Sequence, residues 1–365
     1  MKITAWSLHF YDLPYEREVV WANAVEHSGL YALLHLTDES GAEGVAEGTI
    51  KATWTGVSPR SLRAAFEDVL MSRVVGFECD GAAGAMKRLE GVPENRLAKA
   101  MIDNACWQIE ACRVGQPLWK LWGGAPSVEL TWAITRQPPA LMAAEAAEVC
   151  ASYGFRTLKV KGGQGLATDR TAMREIRAAV GDKVRLYVDA NSCYKRSEGL
   201  DYSIAMRDLG ATVSEDPCPL KPDAEFTQLQ AGAGVPILVD RTCTSALDAA
   251  QYLEKGAAAL STKAGRIGFT EAREISALAD AHGARVALGL YAESALGTLI
   301  SLQYGAAIPP SLQLVAAEQT FYLGMKEQVV TAMPTVKDGR IELPSEADYS
   351  KFVDWSRVRR FALAR

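Results

Sequence analysis

Three carboxylates stand at the ends of successive short apolar runs in the middle of the chain. Asp189, Glu215 and Asp240 each follow a run that contains Val, Ile or Leu. Carboxylates without His or Cys form a hard, oxygen-only ligand set, which suits Mg²⁺, with Mn²⁺ as the alternative, rather than zinc. Any one of them alone would be an ordinary strand-end acid, but three in succession would repel one another without a cation. The pattern therefore predicts that these three acids bind a metal ion.

Lysines end the apolar runs that come before and after these acids. Lys161 precedes the first acid and Lys263 follows the last. A lysine near a divalent cation has a lowered pKa, because like charge disfavours the protonated form, and it can then act as a general base near neutral pH. Two lysines flanking a bound carboxylate suit removal of the proton α to it, through an enediolate. We expect Lys161 to transfer the proton, and Lys159, on the same strand face, to support it electrostatically.

The apolar runs that carry these residues alternate with amphipathic stretches. Such runs are typical of buried parallel strands. Their charged ends are ~25 residues apart, about one strand-helix unit of a roughly 250-residue (β/α)₈ barrel, in which the carboxyl ends of all strands meet at one mouth. We therefore predict an α/β fold with a TIM-like (β/α)8-type barrel over residues 126–320. The predicted strands are 157–161, 186–189, 213–215, 237–240, 260–263, 286–290 and 312–315 continuing to Glu318, after a first strand near 128–133.

The chain before residue 126 lacks this alternation. Residues 31–36 and 44–47, on either side of a turn at 38–41, predict a β-hairpin, and the apolar stripe from Leu97 to Arg113 predicts a helix. We expect an α+β domain over residues 1–125, with its boundary near Gly123–Pro126.

The chain after residue 320 loses the alternation again. Asp338-Gly339 predicts a turn, and residues 350–364 predict a terminal helix. We expect residues 321–365 to return to the N-terminal domain.

Two segments of the N-terminal domain, residues 13–29 and 49–56, have the composition of ordered loops. The second is rich in Gly and Thr and contains one large aromatic residue, Trp54. Surface loops share this composition, but loops also carry many ligand contacts. We take Trp54 as a candidate substrate contact.

Composition narrows the class of protein. A formal charge of −5 over 365 residues, without long runs of like charge, argues against nucleic acid or a membrane surface as partner. No segment has the ~20 apolar residues of a membrane span. Seven scattered cysteines suit reduced thiols, and Cys106 and Cys112 lack partners for a zinc site. We expect a cytoplasmic enzyme acting on a small molecule.

Several segments resemble motifs of the enolase superfamily, specifically the muconate lactonizing enzyme subgroup of its mandelate racemase/muconate lactonizing enzyme family. The resemblance covers nearly the whole chain. The matching segments are Lys159-Val-Lys161, Asp189-Ala-Asn191, Glu215-Asp-Pro217, Asp240, Lys263 to Gly268, Ala98 to Gly124 and Glu293 to Thr298.

This resemblance implies both a fold and a site. It implies an α+β capping domain built from both termini, whose loops near residues 13–29 and 49–59 close over the barrel mouth. Family sites use a Lys or His base with Mg²⁺, and relatives suggest a homo-oligomer that acts on a small-molecule carboxylate. The implied residues are Asp189, Glu215 and Asp240 as Mg²⁺ ligands, Lys161 and Lys263 as acid/base or cation-stabilising groups, Glu318 as the acid ending strand eight, and Asn191 and Glu293 as substrate contacts.

Two positions separate this chain from parts of that family. Lys263 argues against the mandelate racemase subgroup, which uses a His-Asp pair, and His282 precedes the seventh strand rather than ending it. Arg241 stands where the family commonly has Glu, and a guanidinium is not a hydrogen-bond acceptor. We expect Arg241 to pair structurally with Asp216 or Glu215, with contact to an anionic substrate as the alternative.

The favoured function is a Mg²⁺-dependent muconate-type cycloisomerase, with which Phe269 after the Lys263 motif is compatible. The alternatives are a racemase or epimerase of N-acyl amino acids or dipeptides, and an o-succinylbenzoate synthase-like dehydratase. Leu290-Tyr-Ala-Glu293 lacks the Asp-x-Asp pair expected of dipeptide epimerases. A non-catalytic barrel that binds a metal or a small acid is the alternative from a different class, and only Arg241 favours it.

Overall fold

The structure is a computed structural model that describes residues 1–363, and it contains two antiparallel sheets and one parallel sheet. None of the helices within these residues is long and apolar enough to cross a membrane. The strands are β1 (Ile3–Val20), β2 (Val25–Asp38), β3 (Glu43–Ile50), β4 (Ser127–Glu129), β5 (Trp132–Ile134), β6 (Thr157–Lys161), β7 (Arg185–Asp189), β8 (Ala211–Glu215), β9 (Ile237–Val239), β10 (Ala259–Thr262), β11 (Arg285–Leu288), β12 (Val336–Lys337) and β13 (Arg340–Glu342).

The helices occupy most of the chain between these strands. Short π or 3₁₀ segments lie at Ala65–Leu70, Arg196–Glu198, Phe321–Gly324 and Tyr349–Phe352. The α-helices are α1 (Ala52–Thr55), α2 (Pro59–Ala64), α3 (Met71–Val74), α4 (Gly81–Lys87), α5 (Arg96–Val114), α6 (Leu118–Leu121), α7 (Pro139–Tyr153), α8 (Leu166–Val180), α9 (Gly199–Arg207), α10 (Ala224–Ala233), α11 (Ala246–Glu254), α12 (Ala264–Ile267), α13 (Phe269–Ala281), α14 (Ala295–Gly305) and α15 (Trp355–Arg360).

The N-terminal sheet has the order β1-β2-β3, and the predicted hairpin is β2 with β3. The prediction of a loop at 13–29 is wrong for most of that segment. Pairing of β1 with β2 continues through Leu13↔Gly29 and resumes at Val19↔Glu26 after an irregularity, because the backbone ladder extends past Pro14. The two strands therefore form one long hairpin whose tip is residues 21–24, and the second predicted loop contains α1.

The predicted helix from Leu97 to Arg113 is confirmed as α5, which packs on β3. Two glycines make this close approach possible. A Cβ at Gly44 would lie 2.0 Å from the Ala105 carbonyl oxygen, and one at Gly48 would lie 2.5 Å from the Met101 sulfur. The helix can therefore approach β3 this closely at these two positions only because each is a glycine.

The parallel sheet runs β5-β6-β7-β8-β9-β10-β11, in chain order, with helices between the strands. The predicted strands from 157 to 290 are confirmed to within a few residues, since Val, Ile and Leu fill the buried interior of each. The predicted first strand is shifted, because Ser127–Glu129 pairs with β13 while β5 joins the parallel sheet. Residues 312–318 hydrogen-bond through their backbone to both edges, at Val286 and Thr131.

The C-terminal chain pairs with β4 through β13 and then reaches β1 of the N-terminal sheet. Asp338 and Gly339 form the predicted turn, both with positive φ, between β12 and β13. The predicted helix from Ser350 is wrong in extent, because Val353 has extended backbone between the 3₁₀ turn and α15. Ala362 bridges to Tyr11 of β1, and residues 364–365 of the predicted tail lie outside the described residues.

A buried carboxyl joins α5 to the start of α13. Asp103 accepts hydrogen bonds from the Thr270 backbone N–H at 2.8 Å and from its hydroxyl at 2.5 Å. Burial raises the pKa of Asp103 from its ordinary 3.8 to about 6. The folded state therefore binds more protons than the unfolded state between these values, so this carboxyl favours folding at low pH and that contribution is lost as the pH rises through about 6.

We expect the free energy of unfolding of the wild type, relative to Asp103→Asn, to fall by roughly 2 kcal/mol between pH 4 and pH 7. The Asp103→Asn variant is the matched control because an asparagine side chain has nearly the same shape and does not titrate. Urea unfolding of both proteins at four pH values measures this difference. A difference that stays constant with pH would contradict the assignment.

Candidate active site

The strand-end charges predicted from the sequence meet at the carboxyl edge of the parallel sheet. Every one of them is buried. The members are Lys159 and Lys161 on β6, Asp189 ending β7, Glu215 ending β8, Asp240 after β9, Lys263 after β10 and Glu318 in the segment that follows β11 and α14.

Lys159 lies at the centre of three carboxylates. Its Nζ is 2.7 Å from Glu215 Oε2, 2.9 Å from Glu318 Oε2 and 3.1 Å from Asp189 Oδ2. Burial lowers the pKa of this lysine, but the three carboxylates outweigh burial and raise its pKa well above the ordinary value. The Tyr187 hydroxyl donates to Glu318 Oε1 at 2.6 Å. Lys159 therefore stays protonated and neutralises charge inside the sheet.

Lys161 lies two residues further along β6, nearer the mouth. Its surroundings shift its pKa in the opposite direction from that of Lys159. Its Nζ is 2.5 Å from Asp189 Oδ2 and 3.4 Å from Asn191 Oδ1. Burial and the neighbouring Lys159 lower the pKa of Lys161, although Asp189 opposes them. Asn191 has a left-handed backbone, with φ of 48°, and its N–H donates to Asp189 Oδ1 at 2.7 Å. This tight turn places the amide beside the lysine.

Lys263 lies on the opposite side of the acid cluster from Lys161. Its ammonium hydrogen-bonds to Asp240 Oδ2 and lies 5.6 Å from the centre of the Trp54 ring. Burial alone would raise the pKa of Asp240, but Lys263 and Arg266 outweigh burial and lower that pKa below its ordinary value. Trp54, which comes from the N-terminal domain, therefore makes a cation–π contact with Lys263, which follows a strand of the parallel sheet.

Arg241 does not make the predicted ion pair with Asp216 or Glu215. Its guanidinium carbon instead lies 5.7 Å from the Trp54 ring centre. Asp216 instead accepts from the backbone N–H groups of Asp240 at 3.2 Å and Arg241 at 2.9 Å. Asp216 is buried, whereas Arg241 is exposed to solvent, so the guanidinium can remain hydrated.

A cavity opens to solvent above these groups. Of the predicted site residues, Trp54, Lys161, Asn191 and Lys263 line it, whereas the three acids and Lys159 lie beneath the lysines. The other lining residues are Trp21, Ala22, Asn23, Glu26, Lys51, Thr53, Leu290, Tyr291 and Ala292.

Glu293 is buried behind this cavity rather than lining it. Its Oε2 accepts from the Tyr291 N–H at 2.7 Å, and its Oε1 has no hydrogen-bond partner within residues 1–363. Burial raises the pKa of Glu293 to about 7. The neighbouring Ser294 N–H donates to Glu47 of β3 at 2.9 Å, so the loop is anchored to the N-terminal sheet.

Sequence reasoning missed Lys51, Glu26 and Trp21. Lys51 directly follows the apolar end of β3, at Ile50, and is buried. The strand-end argument that identified the charges of the parallel sheet would also have identified this lysine. Glu26 and Trp21 had no strand-end signal of their own, but both lie within residues 13–29, the segment that the family resemblance predicted to lie over the mouth, and both line the cavity.

The acids fit a hard divalent cation in chemistry, although the lysines contact them. Within residues 1–363, no three acidic, His or Cys side chains surround a common point as a preformed metal site. Among the residues that the structure describes, Glu215 Oε1 and Asp240 Oδ1 are nevertheless buried without a hydrogen-bond partner, although Arg266 lies 3.4 Å from Asp240 Oδ1. Burial and Asp189 raise the pKa of Glu215 well above its ordinary value. Oxygen atoms with unmet bonding capacity in an all-carboxylate set suit Mg²⁺.

Comparison with known families covers both parts of the chain. Residues 12–123 match the family described as mandelate racemase / muconate lactonizing enzyme, N-terminal domain. Residues 141–347, more than half of the chain, match the family described as enolase C-terminal domain-like.

Individual relatives have different activities. Muconate cycloisomerase 1 of Rhodococcus opacus is 28% identical over 308 residues, which cover 82% of each protein. L-Ala-D/L-Glu epimerase of Bacillus subtilis is 29% identical over 284 residues, 75% of this chain and 77% of the epimerase. The structure of a muconate lactonizing enzyme from Pseudomonas fluorescens, complexed with muconolactone, superposes with a TM-score of 0.92 at 23% identity and covers 99% of both chains. That structural likeness shows a shared fold.

Proposed function

Because the chain belongs to the enolase superfamily, in its mandelate racemase/muconate lactonizing enzyme family, we propose that it is a Mg²⁺-dependent isomerase that transfers a proton at the carbon α to a substrate carboxylate. The most specific form of the proposal is a muconate-type cycloisomerase. One observation carries it: Lys161 and Lys263, from opposite sides of the acid cluster, line the same cavity.

The lysines provide the chemistry of the proposed reaction. In the lactone-forming direction one carboxylate oxygen bonds to a carbon of the distal double bond, and the electron pair moves to the other end as an enediolate. The Lys161 ammonium then gives its proton to the α carbon, and in the reverse direction neutral Lys161 removes that proton. Lys263 stays protonated and stabilises the negative charge from the opposite side. Lys159 is buried below these groups, and its positive charge offsets the negative charges of the acids in a site that excludes water.

Asp189, Glu215 and Asp240 would hold Mg²⁺, which when bound supplies electrostatic stabilisation of negative charge on the substrate carboxylate. We expect chelation with EDTA to abolish α-proton exchange and added Mg²⁺ to restore it. Glu215→Gln is expected to weaken metal binding by at least about tenfold, because one anionic ligand is lost. Mn²⁺ titration followed by electron paramagnetic resonance measures this binding without any substrate. Equal Mn²⁺ affinity in both proteins would contradict the ligand assignment.

The experiment that tests the activity is solvent-deuterium exchange followed by NMR. The panel consists of muconates and muconolactones, N-succinylamino acids and dipeptides, each with Mg²⁺ and with EDTA. Metal-dependent lactone formation from muconate supports the cycloisomerase. No exchange or turnover with any member, despite Mn²⁺ binding, would overturn it.

The second candidate is a racemase or epimerase, which the epimerase relative and the pair of lysines favour. Two-base racemisation requires both Lys161 and Lys263, and it places deuterium at the α carbon of recovered substrate. An o-succinylbenzoate synthase-like dehydratase would instead release water from its substrate. Metal binding without any exchange would point to a non-catalytic barrel.

The same proposal includes the architecture around the site. We propose that residues 312–318 serve as the eighth strand of a closed (β/α)₈ barrel, since their backbone bonds to both sheet edges. We propose residues 1–125 as a capping domain, 126–320 as the barrel and 321–365 as a tail that joins the cap. The seven free cysteines suit a reducing compartment such as the cytoplasm.

A further inference from the structure

Arg136 is a buried arginine that follows the end of β5 by two residues, and only 7% of its surface is exposed. Its Nε donates to the Gly162 carbonyl oxygen at 2.7 Å, and its Nη2 lies 3.4 Å from the Ala190 carbonyl oxygen. Nη2 also donates to Asn191 Oδ1 at 3.1 Å and lies 3.8 Å from Cys193 Sγ. None of these four acceptors is a carboxylate, so these contacts do not serve to neutralise an acid.

The guanidinium links the chain segments that follow β6 and β7. The register between these two strands ends at the pair Lys161↔Asp189. Gly162 directly follows the lysine, and Ala190 directly follows the aspartate. Arg136 therefore holds together the two segments that begin at the proposed proton-transfer residue and at the first proposed metal ligand.

The side-chain amide of Asn191 connects Arg136 to Lys161. Its Nδ2 donates to Asp189 Oδ2 at 3.0 Å. Its Oδ1 lies 3.1 Å from Arg136 Nη2 and 3.4 Å from Lys161 Nζ. A guanidinium has only donors, so turning the amide over would place its NH₂ group against Arg136 and break this bond. Arg136 thus fixes which end of the amide faces Lys161.

We propose that Arg136 is a positioning residue for proton transfer, which holds the Lys161 amino group in place through the Asn191 amide. This inference rests on the proposed function, in which Lys161 exchanges a proton with the α carbon. Among residues 1–363, those that line the cavity include Lys161 and Asn191 but not Arg136, so Arg136 acts from behind the site. Precise placement matters because a shift of about 1 Å in a reacting group can lower a rate by roughly 100-fold.

The test is a double-mutant cycle of Arg136→Met and Asn191→Ala. Exchange of the α-proton is followed by NMR, with Mg²⁺ present, on the substrate that proves active. We expect Arg136→Met to lower kcat by about 10- to 100-fold and to change KM by less than about threefold, because Arg136 does not touch the substrate. In the Asn191→Ala background the same substitution should lower kcat by less than about twofold, because the amide through which it acts is absent.

Arg170→Met is the matched control, since it removes the same group from an exposed position on α8. Its exchange rate should match that of the wild type. Additive losses in the cycle would show that Arg136 only supports the fold through the two backbone carbonyl groups, and they would overturn the inference. If Arg136→Met does not fold, Arg136→Lys takes its place, because an ammonium lacks the planar fork that reaches the Gly162 and Asn191 oxygen atoms together.

Crystal structures of the wild type and of the Arg136 variant test the same inference without a substrate. We expect the Asn191 side chain to turn away from Lys161 in the variant and Lys161 Nζ to move by about 1 Å. Unchanged positions of both side chains would contradict the inference.

These outcomes are separate from the fate of the proposed function. If no compound of the panel exchanges a proton, the proposed function fails and the two crystal structures decide whether Arg136 positions Lys161. Exchange in the wild type with additive losses in the cycle would leave the function in place and remove the role of Arg136.

Discussion

Replacing Lys161 with Ala is expected to lower α-proton exchange and turnover by about 10³- to 10⁴-fold. The lysine lines the cavity, and burial and Lys159 lower its pKa, so that it can exchange a proton with substrate more readily than an exposed lysine. Rates of deuterium incorporation, measured by NMR on the substrate that proves active, give this ratio. Binding of Mn²⁺ should be retained, because the acids remain.

Lys183→Ala is the matched control for this experiment. Lys183 is exposed and precedes β7, at the opposite edge of the sheet from Asp189. It removes the same chemical group without touching the cavity, and its exchange rate should match that of the wild type. Retention of more than about a tenth of the activity by Lys161→Ala would contradict the assignment of proton transfer to this residue. Full activity in Lys263→Ala would likewise contradict its role in charge stabilisation.

Replacing Lys159 with Met is expected to destabilise the metal-free protein by about 3–5 kcal/mol. The substitution leaves Asp189, Glu215 and Glu318 buried without their common cation. Because the pKa of Lys159 is raised, its stabilisation is present at all pH values below its ordinary pKa and is lost only above the raised value. The loss in the variant should therefore be similar at pH 6 and at pH 9.

Urea unfolding with EDTA and with Mg²⁺ measures this effect. A bound cation replaces part of the missing charge, so Mg²⁺ should stabilise Lys159→Met more than it stabilises the wild type. The double variant Lys159→Met/Glu318→Gln is the matched control, because it removes one of the three uncompensated charges and should recover part of the stability. A variant as stable as the wild type in EDTA would show that Lys159 is not the partner that neutralises these acids.

The strand-end charges illustrate what could be predicted before the fold was known. Lys161, Asp189 and Glu215 end buried strands because each apolar run ends in one charge, and parallel strands present these ends at a single edge. Local patterns are sufficient for this inference. An equally local pattern, the apolar stripe along one helix face, explains why α5 was predicted to within a residue at each end.

Other parts of the site were outside the reach of local patterns. The segment at 13–29 contains Pro14 and polar residues and was predicted as a loop, yet backbone pairing between β1 and β2 makes most of it strand. Arg241 was expected to form an ion pair, but Asp216 accepts from the backbone N–H groups of Asp240 and Arg241 and not from the guanidinium. In both cases a hydrogen-bond partner distant in sequence determined the outcome.

By itself, the sequence determined the strands, the order of the charges along them and the edge of the sheet at which they meet, because apolar periodicity and strand polarity are local properties. Only the tertiary structure decided which charges touch. Lys159 meets Glu318 across 159 positions of sequence, and the hairpin carries Glu26 to Lys51 above the cavity. Such contacts depend on the curvature of the sheet and the seating of the N-terminal domain, which arise from packing over the whole chain.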